Sequence, residues 1–300
     1  MTDMTSARAA GFRIAGAPIS WGVCEVPGWG HQLKPDRVLA EMREVGLLAT
    51  ELGPEGFLPG EPDAMAAVLA THGLSAVGGF TPLLLHVPSY DPVPEVQRIL
   101  EGYVAANATT LVLSAITGQD GYDSRPALDE DGWASLLTNL SRISDAAAEK
   151  GVRAVLHPHV GTMIENGAEV QRVLEGSSVA LCLDTGHLLI GGTDPADLTR
   201  QAADRIAHVH FKDVDAGKAG QVRDGRYTYT DGVRNGMYRA LGTGDVDVPA
   251  IVSVLHGRGY DGWYTLEQDT ILTAEPSGQG PVADVWTSAE YLRSLLRDSG

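Results

Sequence analysis

Histidine is the residue type in this sequence that most strongly suggests chemistry. The chain has nine histidines. Five of them fall in one segment: His157, His159, His187, His208 and His210. A histidine pKa lies near physiological pH, and its ring nitrogens bind transition metals. This segment therefore predicts proton transfer, metal binding or both.

The spacing of four of these histidines suits extended backbone. His157 and His159 are two residues apart, as are His208 and His210. Side chains two residues apart on a strand point to the same face. Each pair is therefore expected to present both imidazoles to one side of a sheet.

Carboxylates accompany the histidines. Asp184 ends an apolar segment, where a buried carboxylate needs a cation or several hydrogen bonds. Glu267 ends the last apolar segment of the chain and is expected to point inward. Nitrogen and oxygen donors from four strand ends, with no thiolate, suit Mn²⁺, Co²⁺, Fe²⁺ or Zn²⁺ in a catalytic site.

Short apolar or β-branched segments alternate with longer amphipathic ones, without a linker that would separate two domains. The predicted strands are 12–19, 47–53, 74–81, 109–116, 152–157, 179–184, 206–211 and 263–267. The predicted helices are 35–45, 62–71, 93–106, 132–150, 168–174, 196–203, 248–258 and 289–297. Eight such units predict an α/β fold, a closed (β/α)₈ TIM barrel, with an open doubly wound sheet as the alternative. In the barrel, the five histidines would meet at the carboxyl ends of the strands.

Glycines and one long connection complete this organisation. The glycines that follow four predicted helices favour a left-handed residue at the helix end: Gly73, Gly151, Gly176 and Gly259. Residues 213–247 are far longer than the roughly 2–6 residues usual for a βα connection, and we expect them to form a lid. Residues 1–11 are predicted to be a loosely attached tail, and 12–300 a single domain.

Charge and composition argue against several classes of protein. Lys and Arg total 22 against 39 Asp and Glu, and the formal net charge of −17 is poorly suited to binding nucleic acid through its phosphates. No apolar run is long enough to cross a membrane, and the first residues do not resemble a secretory signal. We therefore expect a cytoplasmic protein with no membrane partner. Cys24 and Cys182 provide no disulfide framework, and Cys182 is predicted to be buried.

Over nearly its whole length the chain resembles the xylose isomerase-like, or sugar phosphate isomerase/epimerase, superfamily of metal-dependent barrels. The matching segments are APISWG (17–22), ELGP (51–54), HPHVGT (157–162), LDTGH (183–187), HVHFKD (208–213), LGTGD (241–245) and LEQD (266–269). The Asp-Thr-Gly-His and His-x-Lys-Asp motifs mark the superfamily. The His-Pro-His-x-Gly-Thr and Glu-Gln-Asp motifs resemble its inosose (2-keto-myo-inositol) dehydratase branch.

The resemblance implies one divalent metal held by a Glu, an Asp, a His and a final Glu. Matched by motif, these positions are His157, Asp184, His210 and Glu267. This sequence has His157 where many members of the superfamily have Glu, which leaves His159 as the rival ligand. The implied metal is Mn²⁺ or Co²⁺, with Zn²⁺, Fe²⁺ or Mg²⁺ as alternatives.

The resemblance also implies an enzyme that acts on a small polyhydroxylated ketone. In the leading interpretation, a metal-dependent lyase dehydrates a cyclic keto-polyol such as 2-keto-myo-inositol through an enediolate. A keto-sugar isomerase or epimerase would share that intermediate and is the alternative. An apurinic-site endonuclease has the same barrel, but the net charge opposes it. A metal-free binding protein is less expected because Asp184, His210 and Glu267 are all present. A homo-oligomer is compatible with all these interpretations.

Four further residues are predicted to serve the reaction. Lys212 is expected to contact a substrate oxygen through its ammonium, with an exposed strand-end lysine as the alternative. His187 and His159 are predicted to transfer protons. Glu51 is predicted to hold substrate hydroxyls or to orient a metal-binding histidine.

Overall fold

The computed structural model describes residues 12–298, which form a barrel of parallel strands surrounded by helices. The strands are β1 (Ile14–Gly16), β2 (Ala49–Thr50), β3 (Ser75–Ala76), β4 (Gly78–Leu83), β5 (Thr110–Ala115), β6 (Arg153–Leu156), β7 (Ala180–Asp184), β8 (Ile206–Phe211), β9 (Asp213–Val214), β10 (Tyr238–Arg239) and β11 (Tyr264–Leu266). The barrel uses nine of them, while β9 and β10 form a separate antiparallel pair. The predicted TIM barrel is confirmed. The predicted tail at residues 1–11 lies outside the described residues.

The barrel closes at Val77, which separates β3 from β4. β3 pairs with β2, and β4 pairs with β5. The Val77 N–H donates to the Thr50 carbonyl at 2.9 Å, and the Val77 carbonyl accepts from the Thr109 N–H at 2.9 Å. β3 and β4 are therefore two halves of one barrel strand. This makes the observed strands equivalent to the eight predicted from the sequence.

Helices cover the outside of the sheet and fill some of its connections. They are α1 (Pro35–Glu44), α2 (Pro62–Thr71), α3 (Val93–Ala105), α4 (Glu130–Glu149), α5 (Gly167–Gly176), α6 (Thr185–Ile190), α7 (Pro195–Ala202), α8 (Ala216–Arg223), α9 (Tyr229–Arg234), α10 (Val248–Gly257) and α11 (Val282–Asp298). Each predicted helix is present, although α11 begins earlier than expected, and α6, α8 and α9 were not predicted. None of the described helices combines the length and apolar character needed to span a membrane.

Three of the four helix-ending glycines behave as predicted. Gly73, Gly151 and Gly259 have φ angles of 65°, 73° and 72°, in the left-handed region that favours glycine. The prediction for Gly176 is wrong, because Gly176 is the last residue of α5 and the chain continues in extended conformation. A Cβ atom there would lie 2.6 Å from Cδ1 of Leu137. Close packing against α4 therefore explains this glycine.

Small side chains on the barrel strands form two groups apart from the main core. One group is Ala15, Ala49 and Val77, and the other is Val112, Val155 and Cys182. The barrel interior of this fold is filled by such layers of side chains. Larger polar side chains occupy the carboxyl ends of the strands, where the predicted site residues lie. Cys182 is buried, as predicted.

The long connection at 213–247 is folded, since it contains α8, α9 and the β9–β10 pair. The buried Asp213 carboxylate organises its far end. This carboxylate accepts hydrogen bonds from the backbone N–H groups of Gly242, Gly244 and Val246 at 2.8, 2.9 and 3.1 Å. One buried carboxylate therefore holds the end of the connection against β9. That the connection acts as a lid stays a prediction.

We expect Asp213→Ala to lower the free energy of unfolding by about 3 kcal/mol or more, because several buried N–H groups lose their acceptor at about 1–3 kcal/mol each. Asp215→Ala is the matched control. Asp215 caps α8 by accepting from the Lys218 N–H, and it also accepts from the exposed side chain of Arg239. Losing such a cap costs about 1 kcal/mol, and an exposed ion pair adds little to that. Urea denaturation of both variants measures the difference. Equal losses would contradict the role given to Asp213.

Candidate metal centre and active site

Four predicted site residues lie at the carboxyl ends of neighbouring barrel strands. His157 directly follows β6, Asp184 ends β7, His210 is the penultimate residue of β8, and Glu267 directly follows β11. These four strands are consecutive neighbours in the sheet. Because the strands are parallel, their carboxyl ends meet at one edge of the barrel, and the four side chains meet with them.

The donor atoms of these side chains converge. Asp184 Oδ2 lies 3.0 Å from His157 Nε2 and 3.5 Å from His210 Nδ1. His210 Nδ1 lies 2.7 Å from Glu267 Oε2. The ligand atoms of Asp184, His210 and Glu267 all fall within 4.8 Å of one another. Together they form the candidate metal centre.

Two ligand atoms of this centre face each other without an ordinary hydrogen bond. His210 Nδ1 and Glu267 Oε2 are buried and lie 2.7 Å apart, and neither makes a hydrogen bond of good geometry within residues 12–298. Buried polar atoms in folded proteins are nearly always satisfied. Imidazole nitrogen and carboxylate oxygen are also common ligands of divalent transition metals. The residues present therefore fit a divalent cation.

Glu51 fixes the orientation of His210 by binding the ring nitrogen that points away from the candidate metal centre. Its Oε1 atom lies 2.8 Å from His210 Nε2 and 2.7 Å from His208 Nε2. Each imidazole donates to that carboxylate oxygen, so His210 turns its other nitrogen toward the candidate metal centre. Burial favours a raised Glu51 pKa, but the charge of His210 and the hydrogen bond from His208 hold this pKa below its usual range.

His157 and His159 have different hydrogen-bond partners in the structure. His157 is the histidine whose Nε2 atom faces Asp184. His159 Nδ1 lies 2.7 Å from the Val160 carbonyl and donates to it, and its ring centroid is 3.6 Å from that of His187. Burial lowers the His159 pKa to about 3. His157 therefore lies with the candidate ligands, and His159 lies beside them.

Lys212 is buried, with 2% of its surface exposed, so it is not a solvated strand-end lysine. Its Nζ atom lies 3.1 Å from His187 Nε2, which accepts a hydrogen bond, and 2.6 Å from Asp269 Oδ1. Burial favours a lower Lys212 pKa, but the carboxylates of Asp184 and Asp269 raise it well above the usual value. A permanent positive charge therefore lies next to the candidate metal centre.

A cavity of about 700 Å³ opens onto this centre. Most of its wall comes from residues 17–103, on the connections after the first strands of the barrel. The remaining wall consists of Tyr122, His157, His159, Lys212, Glu267 and Asp269. A cavity of this size suits a small-molecule ligand.

The family model of the xylose isomerase-like TIM barrel matches residues 39–295. The chain belongs to that family. The chain is 32% identical to the rhizopine catabolism protein MocC of Rhizobium meliloti, over 96% of this chain and 90% of that protein. It is 30% identical to the inosose dehydratase of Geobacillus kaustophilus, over 95% of each chain.

Solved structures of similar fold extend the comparison. An L-ribulose 3-epimerase superposes with a TM-score of 0.70 at 16% identity, covering 96% of this chain and 95% of the epimerase. The IolI protein with a bound zinc atom superposes with a TM-score of 0.69 at 15% identity, covering 96% of this chain and 99% of IolI. At these identities the likeness concerns the fold.

In this xylose isomerase-like barrel, three buried polar residues near Lys212 had no role assigned from the sequence. They are Asp269, Tyr229 and Tyr238. Asp269 could have been found, because it lies two residues after Glu267 and such residues share a face on extended backbone. The tyrosines carry no comparable signal, since their place depends on how residues 213–247 fold. The roles predicted from the sequence also stay predictions: metal binding by His157, Asp184, His210 and Glu267, and catalysis by Lys212, His187, His159 and Glu51.

Proposed function

We propose that this protein is a metal-dependent dehydratase that acts on a cyclic keto-polyol such as 2-keto-myo-inositol. The observation that carries the proposal is the candidate metal centre itself. The ligand atoms of His210 and Glu267 face each other without an ordinary hydrogen bond, beside the buried ammonium of Lys212 and at the end of a cavity. The inosose dehydratase of Geobacillus kaustophilus, similar over nearly the full length, supports the substrate class.

Four residues would hold the metal: His157, Asp184, His210 and Glu267. A bound divalent ion would supply Lewis acidity, which stabilises negative charge on a ketone oxygen. The zinc atom in the IolI structure is consistent with a site of this kind in the fold. Mn²⁺ and Co²⁺ remain the metals that the family resemblance leads us to expect, and the nitrogen and oxygen donors also suit Zn²⁺ or Fe²⁺.

His159 is the residue we assign to proton transfer. Its Nδ1–H donates to Val160, which leaves Nε2 as the acceptor nitrogen of a side chain that lines the cavity. In the proposed reaction Nε2 takes the α-proton of the ketone, the C–H electron pair becomes a C=C bond, and the C=O π pair moves to the oxygen to give an enediolate. The C=O bond then re-forms, the C=C pair shifts to the bond between the α- and β-carbons, and the C–O bond of the β-hydroxyl breaks. The proton that His159 took returns to that hydroxyl, which leaves as water.

We assign Lys212 the role of stabilising the negative charge that forms on the substrate oxygen during this reaction. Its ammonium is buried, and it lies 3.2 Å from Glu267 Oε2. A fixed positive charge in a buried site stabilises a developing oxyanion far more than the same charge would in water. His187 accepts from Lys212, and its ring lies against that of His159 in a tilted arrangement, so we assign it the role of linking these two residues.

Incubation of the metal-loaded protein with 2-keto-myo-inositol tests the proposal. The expected result is a product lighter by one water, with the ultraviolet absorbance of a conjugated enol-dione. A product of unchanged mass would indicate the isomerase or epimerase alternative, which uses the same enediolate. Absence of turnover with every keto-polyol offered to a metal-loaded, folded protein would contradict both.

We expect the purified protein to bind about one divalent transition ion per chain, because the candidate donors form one cluster of four strand-end groups. Elemental analysis after mild chelation and reloading with Mn²⁺, Co²⁺ or Zn²⁺ measures the stoichiometry. Clearly less than one ion per chain under every reloading condition would remove the basis of the proposed chemistry.

A further inference from the structure

Lys212 lies among three carboxylates that compete for its ammonium. Its Nζ atom is 2.6 Å from Asp269 Oδ1, 3.2 Å from Glu267 Oε2 and 3.5 Å from Asp184 Oδ2. Glu267 and Asp184 are candidate metal ligands. An ammonium bound tightly to them would occupy lone pairs that a metal needs. The shorter contact with Asp269 draws the ammonium to one side of those ligands.

Asp269 is itself held through both carboxylate oxygens. Oδ1 accepts from Lys212, and Oδ2 accepts from the Tyr229 hydroxyl. The Tyr229 and Tyr238 hydroxyl oxygens lie 2.7 Å apart. Because the Tyr229 proton goes to Asp269, Tyr238 must donate to Tyr229. Lys212 Nζ also lies 5.5 Å from the centroid of the Tyr238 ring, within range of a cation–π interaction.

Both tyrosines come from residues 213–247. Tyr229 is the first residue of α9, and Tyr238 lies on β10. α9 is fixed at its start by Asp123, which lies in the connection between β5 and α4. The Tyr229 N–H donates to Asp123 Oδ1 at 2.6 Å. The long connection therefore reaches Lys212 through a chain of buried hydroxyl and carboxylate groups.

We propose that Asp269 and Tyr229 are positioning residues for Lys212. Tyr229 fixes the carboxylate of Asp269, and Asp269 binds the ammonium beside the cavity more closely than Glu267 and Asp184 do. The inference rests on the proposed function, in which Lys212 stabilises the enediolate oxygen. Without the Tyr229 hydroxyl, one oxygen of Asp269 loses its partner, and the ammonium shifts toward the candidate ligands. Misplaced charge affects the intermediate more than the bound ketone, so kcat falls and KM does not.

The variant Tyr229→Phe tests this, because it removes one hydroxyl and keeps the ring. Losing a hydrogen bond to a charged group is expected to lower kcat about 10- to 100-fold, with KM within about twofold of wild type. Asp269→Asn is expected to lower kcat further, since it removes the charge that faces Lys212. Tyr227→Phe is the matched control, because Tyr227 is an exposed tyrosine of the same connection. It should leave both constants unchanged.

A second readout needs no substrate. In protein labelled with ¹⁵N-lysine, the ammonium resonance of buried Lys212 is expected to shift and broaden in Tyr229→Phe but not in Tyr227→Phe. Wild-type kcat together with an unchanged resonance overturns the inference. Loss of thermal stability in Tyr229→Phe at unchanged metal content and with an unchanged resonance would indicate a structural role and also overturn it. If no keto-polyol is turned over, the proposed function fails, and the resonance alone decides whether Tyr229 positions Lys212.

Discussion

Lys212→Met is expected to lower kcat by about 10²- to 10³-fold, the cost of removing one group that stabilises a developing oxyanion. Methionine keeps the apolar part of the side chain but lacks its terminal nitrogen, so the charge and its hydrogen bonds are removed. KM should stay within about threefold of wild type, because the ammonium serves the enediolate more than the neutral ketone. Steady-state kinetics on the metal-loaded protein measures both constants.

The control for this experiment is Lys150→Met. Lys150 is an exposed lysine at the end of α4 and has no contact with the candidate site. Its replacement should leave kcat and KM within about twofold, since surface changes rarely exceed 0.5 kcal/mol. A Lys212→Met enzyme with near wild-type kcat would contradict the catalytic role and our preference for elimination.

Glu267→Gln is expected to abolish turnover, with kcat/KM falling at least about a thousandfold. Glutamine keeps the volume of the side chain but replaces an anionic ligand with a neutral one, which weakens metal binding and Lewis acidity together. The charge of His210 and Lys212 lowers the Glu267 pKa to about 2, although burial opposes this, so the wild-type group is an anion at working pH. Kinetics and elemental analysis on one preparation give both results.

Glu275→Gln provides the matched control. Glu275 follows the same strand, is exposed, and pairs with Arg37 and His31 at the surface. Its replacement should change neither metal content nor kcat/KM by more than about twofold. If Glu267→Gln stays folded, keeps its metal and turns over normally, Glu267 is not a ligand.

The sequence predicted the barrel because the pattern of buried strands and amphipathic helices follows directly from which side chains face the core. The ends of the strands were less predictable. β1 ends at Gly16, shorter than the predicted 12–19, because the chain turns into a short 3₁₀ helix over Pro18–Trp21. Asp184 ends β7 as predicted, since the apolar segment stops there.

Within the candidate site, the sequence predicted which strand end carries each residue. It did not predict which groups the side chains contact. His157 and His159 share a face by spacing, but the Val160 carbonyl turns His159 away from Asp184. The spacing of residues along a strand does not predict that hydrogen bond. Tyr229 could not be predicted at all, because its place beside Asp269 depends on contacts across the folded connection.

The cavity wall and the reacting groups come from different parts of the chain, and this affects how such an enzyme can change during evolution. The candidate ligands and Lys212 lie on residues 157–267, while most of the wall that a substrate would touch comes from residues 17–103. Substitutions that share no partner in a protein act nearly independently. Glu51 is an exception, because it binds His210 and His208. Mutations of wall residues without such contacts can therefore alter which molecules are accepted without disturbing the reacting groups. One scaffold can acquire new substrates while its chemistry is inherited unchanged.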